Sequence, residues 1–81
     1  MTESEARAIA EAQREAYHVP ADYAIEHAER RIIELLEAPP PDARVRDAVV
    51  WILRFERGLG WLELAVDEKT RTVVRVERGR A

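Results

Sequence analysis

Ala48-Val49-Val50-Trp51-Ile52-Leu53-Arg54-Phe55, read together with Trp61-Leu62-Glu63-Leu64-Ala65-Val66-Asp67, is the stretch that decides the fold. Val49, Trp51, Leu53 and Phe55 alternate with Ala48, Val50, Ile52 and Arg54, and Leu62, Leu64 and Val66 alternate with Trp61, Glu63, Ala65 and Asp67. A period of two is the signature of strands. Val74 and Val76, alternating with Val73, Arg75 and Glu77, add a third. The expected strands span about 45–56, 60–67 and 71–78.

A tight turn at Arg57-Gly58 would set Leu53 against Leu62, Trp51 against Leu64 and Val49 against Val66. With a second turn at Glu68-Lys69-Thr70, Asp67 would face Arg71, Leu64 would face Val74 and Leu62 would face Val76. One face then collects Val49, Trp51, Leu53, Phe55, Leu62, Leu64, Val66, Val74 and Val76. A slip of one residue would set apolar against charged side chains, so the pattern pins the face.

Upstream the period changes. Residues 3–17 read as a helix capped by Thr2 or Ser4, with acids in the first turn and Ala6, Ile9, Ala10, Gln13, Ala16 and Tyr17 on one face. Val19-Pro20 interrupts it. Residues 21–37 read as a second helix, with a stripe of Ile25, Ala28, Ile32, Leu35 and Leu36 opposite Glu26, Glu29, Arg30, Glu34 and Glu37. Pro39-Pro40-Pro41 reads as a stiff spacer between helices and sheet. The expected architecture is α+β: a single domain over 1–81, with two N-terminal helices packed on one face of a three-stranded antiparallel β-meander.

A chain of 81 residues buries only about 60% of its unfolded surface, and with no cysteine it has no disulfide to compensate. A compact core, self-association or a partner must supply the stability. Residues 1–40 carry a net charge of −5 and residues 41–81 one of +2. An acidic domain is a poor nucleic-acid ligand, so no nucleic-acid partner is expected, even though twelve of the thirteen basic residues are arginine. The acidic start is no signal peptide and the longest apolar run, Ala48 to Leu53, is too short to span a bilayer. The expected location is cytoplasmic, away from membranes.

Chemistry-bearing residues are sparse. Ser4 is the one serine, and no cysteine exists to act as a nucleophile. A metal site would need His18, His27, Asp22 and Glu26 to converge. Glu3, Glu5, Glu11 and Glu15 belong to a solvated helix face rather than an acid–base pair. The expectation is a non-enzyme without a cofactor or metal.

The second sheet face is less ordinary. Val50, Ile52, Trp61, Ala65 and Val73 lie among Arg54, Glu63, Arg75 and Glu77. An open sheet face is normally polar. Trp61 opposite Arg54 would form a cation–π pair, and Glu63 would meet Arg75 across the strands. Arginine and glutamate stems covering the apolar groups would account for the pattern, and so would a contact patch. The candidate interface is Val50, Ile52, Arg54, Trp61, Glu63, Val73 and Arg75, unless the first helix wraps onto it.

The run Val50-Trp51-Ile52-Leu53-Arg54-Phe55, then Gly60-Trp61-Leu62-Glu63-Leu64-Ala65-Val66-Asp67, then Thr70 and Val73-Val74-Arg75-Val76-Glu77, resembles the hairpin of PepSY-type domains and of small immunity-type proteins. Those families carry a mid-strand tryptophan, a V-D-x-x-T-G turn and a valine-rich strand. Here Arg71 stands where that glycine falls. The resemblance covers residues 48–78 and implies a non-catalytic module that binds or inhibits a protein such as a peptidase or toxin. The expected partner is therefore another protein or, in a homodimer, the chain itself. The alternatives are a self-associating structural subunit, and a small-molecule binder or enzyme with a pocket between helix and sheet.

Overall fold

The computed structural model describes residues 1–80. One helix, α1 (Glu3–Ala12), precedes four strands: β1 (Ala24–Ala38), β2 (Arg44–Arg57), β3 (Gly60–Asp67) and β4 (Val73–Arg80). They form one antiparallel sheet in the order β1-β2-β3-β4. The class is α+β, with one helix and four strands in place of two and three.

The helix expected over 21–37 is a strand. Its residues are good helix formers, but every apolar group on a helical stripe would have had to compete with β2 for a partner. A three-stranded sheet would have left the apolar centre of β2 as an open edge, with a row of unpaired N–H and C=O groups. β1 closes that edge along almost the whole of β2, in unbroken register from His27↔Arg54 to Leu36↔Val45. Pairing thus overrides local propensity. The adjacent apolar pairs Ile32-Ile33 and Leu35-Leu36 are split between the two faces of the sheet. Pro39, Pro40 and Pro41 lie in the β1–β2 connection, so they join two strands rather than a helix and a strand.

α1 ends at Ala12, short of Tyr17. Its start is a complete capping box: Thr2 accepts from the Glu5 N–H, and Glu5 accepts from the Thr2 N–H. After Ala12 the chain turns through residues 13–18 and passes His18 at φ 56°. Arg14 closes this passage. Its guanidinium donates to the Pro20 and Tyr23 carbonyls and lies 4.8 Å from the Phe55 ring centroid.

The predicted alternation holds, but the registers move by two residues. Phe55 pairs with Leu62, Leu53 with Leu64 and Trp51 with Val66, because the β2–β3 turn is Gly58-Leu59. Gly58 takes φ 58°, which suits the first central position of a two-residue hairpin turn. A two-residue shift keeps every side chain on its face. In the next pair Leu64 faces Val76 and Glu63 faces Glu77, so the expected Glu63–Arg75 pairing is replaced by Ala65↔Arg75. A bulge between Ala65 and Val66 sends Val73 to the helix side and Val74 to the other, reversing their expected places.

The main core joins Ala6 and Ala10 of α1 to Val19, Leu53, Phe55, Leu62, Leu64 and Val66, with Trp51, Val73 and Val76 at its margin. Val49, expected in it, lies half-buried outside it. A second cluster, Ala48, Val50, Ile52 and Ala65, forms on the opposite face, with Ile33, Leu35 and Val74 packed against it.

Candidate interaction surfaces

The predicted interface splits apart. Val50 is fully buried and Ile52 nearly so, with Ile33 and Leu35 of β1 packed against their cluster. Neither is available as a contact. Val73 faces α1. Arg54, Trp61, Glu63 and Arg75 stay half-buried on the second face. Arg54 sits 4.5 Å from the Trp61 ring centroid and pairs with Glu56 and Glu63 at 2.6 and 3.2 Å. The cation–π contact forms diagonally, since Arg54 faces Glu63 and Trp61 faces Glu56. On its other flank Trp61 covers Gly79, where an added Cβ would stand 2.8 Å from the indole. Arg54, Glu56, Glu63 and Trp61 thus engage one another, and Arg75 pairs with Glu77 at 3.4 Å.

The charges at the β3–β4 turn are structural too. Asp67 is buried and accepts from Arg46, from the Lys69 N–H at 3.1 Å and from the Thr70 hydroxyl at 3.3 Å. Burial pushes its carboxyl up, but Arg46, the Lys69 amide and Thr70 together outweigh this and hold it below the ordinary range. Glu68 accepts from Arg30 at 3.0 Å and from the Trp51 indole at 3.0 Å, and these lower its pKa, Arg30 most. Glu68 therefore ties β1, β2 and the turn together.

Of the clefts, one of about 440 Å³ is lined by His27, Glu29, Arg31, Arg54, Glu56 and Glu63. Each of its carboxylates is already bound to an arginine, Glu29 to Arg31 and the other two to Arg54. His18 and Tyr23 line a separate cleft with Trp61, Arg78 and Arg80. Among the described residues, no three His, Asp or Glu side chains are placed to hold a metal. No helix among them is long and apolar enough to cross a membrane.

The surface that sequence reasoning missed is the far end of the β1–β2 hairpin. β3 pairs with β2 only from Val50 onward, so residues 44–49 have β1 as their sole strand partner. This two-stranded ribbon lengthens the molecule, whose overall extents are 41 × 26 × 21 Å. On its α1-side face the cross-strand rows are Ile32↔Val49, Glu34↔Asp47 and Leu36↔Val45. α1 does not reach them: Ile32, Leu36 and Val45 are 67%, 61% and 60% exposed. Glu34 and Asp47 stand opposite each other between the aliphatic rows, and neither forms an ion pair among the described residues. The sequence signal was Val45 and Val49 continuing the β2 alternation beyond the reach of the downstream strands. It is obscured because Ile32 and Leu36 also fit a helical stripe. No family model matches this chain, and no curated protein or solved structure shows significant similarity to it.

Proposed function

We propose that the chain is a small non-catalytic protein-interaction module whose contact element is the β1–β2 ribbon. The observation supporting this is the cluster of Ile32, Leu36 and Val45, three large aliphatic side chains held out together at 60% exposure or more. A two-stranded ribbon is marginal in water by itself. Exposed apolar rows framed by charge on such an element mark an interaction site. The facing carboxylates Glu34 and Asp47 add chemical detail, because like charges directly opposite destabilise a strand pair. A partner that places a cation beside them relieves that repulsion and adds neighbours to the aliphatic rows. The reading extends to an inhibitor or immunity-like partner, as the hairpin resemblance implies. It moves the contact surface from the second sheet face to the ribbon.

A photo-crosslinking residue at Leu36 should capture a protein in cells that express the chain, while the same residue at Ala12 on the exposed side of α1 should not. Val45→Glu should abolish the adduct while the chain keeps its sheet by circular dichroism. Capture from Trp61 with none from Leu36 would return the interface to the second face and defeat the reading.

A further inference from the structure

We propose that the ribbon's partner is a second copy of this chain, joined edge to edge through β1 in an antiparallel register centred on Ile32. This rests on the reading of the ribbon as a contact element and names its occupant.

β1 is an outer strand of the sheet, so one of its edges is unpaired. Between its two irregularities, residues 27–36 pair regularly with β2. Two such edges related by a two-fold axis can meet only in registers where residue numbers across the join have a constant sum. The charges choose among them. Centring on Glu29, Arg30, Arg31 or Glu34 sets a charged residue against its own copy. Centring on Ile33 sets Arg30 against Leu36 and Glu34 against Ile32, so no opposite-charge pair forms within the regular stretch. Centring on Ile32 sets Arg30 of each copy against Glu34 of the other, Ile32 against Ile32, and Leu36 against Ala28, with no like-charge pair. Its pairs run from Ala28 to Leu36, inside the regular stretch.

This register also answers what the isolated ribbon leaves open. On the α1-side face, the row Asp47–Glu34 continues into Arg30 and Trp51 of the second copy. The facing carboxylates thereby gain the cation they lack. Arg30 uses its Nε and one terminal nitrogen on Glu68, which leaves N–H groups for a second carboxylate. The row Val49–Ile32 continues into Ile32 and Val49 of the second copy, and Val45–Leu36 into Ala28 and Leu53. The aliphatic rows of the two copies thus run on into one another across an eight-stranded sheet, with the row of paired charges between them. Packing the ribbon faces against each other instead would bring the four carboxylates together.

Sedimentation velocity from micromolar to millimolar concentration should show a monomer–dimer equilibrium. Glu34→Arg should weaken it roughly tenfold or more, since two symmetric pairs turn repulsive. Arg30→Glu should do the same, and mixing the two variants should restore a heterodimer in which both contacts are again Arg–Glu. Because the chain has no cysteine, Ile32→Cys should give an oxidised dimer, while Leu36→Cys, whose copies lie far apart in this register, should not. A monomer throughout the range, no rescue on mixing, or trapping at position 36 and not at 32 would overturn the proposal. If the chain stays monomeric while Leu36 still crosslinks to a different protein, the dimer fails and the ribbon reading stands.

Discussion

Asp67 is the charged side chain that the fold buries most deeply, and Arg46 of β2, together with the Lys69 amide and the Thr70 hydroxyl, offsets the cost. Removing its charge in Asp67→Asn leaves Arg46 with Glu37 alone. The expected loss is about 2 kcal/mol in urea unfolding, less than for a fully buried pair because Arg46 is partly solvated. Glu5 offers a finer test. The Arg71 guanidinium first, then the Thr2 contacts, bring its pKa down from 4.5 to about 2. A folded-state pKa that is lowered stabilises the fold above the unfolded value. That contribution is lost as pH falls from about 4.5 towards about 2. In Arg71→Gly, NMR titration should show Glu5 moving back up, with the acid sensitivity in this window reduced. Arg71, expected to open a strand, instead takes φ 59° in the turn, where glycine is at ease.

At the level of elements, the sequence separated cleanly into what alternation can and cannot fix. The faces of β2 and β3 were readable, since Leu53, Phe55, Leu62, Leu64 and Val66 all turn inward. Their pairing was displaced by two residues, a shift to which alternation is blind and which the turn at Gly58-Leu59 decides. The bulge that exchanged Val73 and Val74 leaves no mark in a run of three apolar or mixed positions. β1 was misread because its periodicity suits either structure, and the deciding interaction is with β2, some twenty residues away. The candidate interface inherited that error: without β1, Val50 and Ile52 look exposed. It follows that a peptide spanning residues 21–38 should turn helical by circular dichroism in trifluoroethanol, although the same residues form a strand in the protein. A strand or coil signal there would show that the extended preference is already local. α1 touches the sheet mainly through Ala6 and Ala10, so its burial contributes little. Its amides should exchange faster than those of β2 and β3 in hydrogen-exchange measurements.

For the molecule as a whole, the elongated outline comes from one mismatch: β1 and β2 are nearly twice as long as the strands that follow them. The body beneath α1 holds the larger core, while the α1-side face of the ribbon has no layer over it and the ribbon is tied to the body only through Ala48 on the other face and the Arg46–Asp67 pair. Global unfolding should therefore be preceded by loosening at the ribbon, seen as early loss of amide protection at residues 44–47 and 34–37 relative to Leu53 and Leu64. Covering the ribbon should remove that difference. The two tryptophans happen to divide this landscape between them. Trp51 sits at the ribbon's base with its indole N–H on Glu68, and Trp61 lies under Arg54 at the opposite end of β3. With Trp61→Phe the remaining emission would report on engagement of the overhang, and with Trp51→Phe it would report on the body alone, so the chain carries a paired optical gauge that needs no added dye.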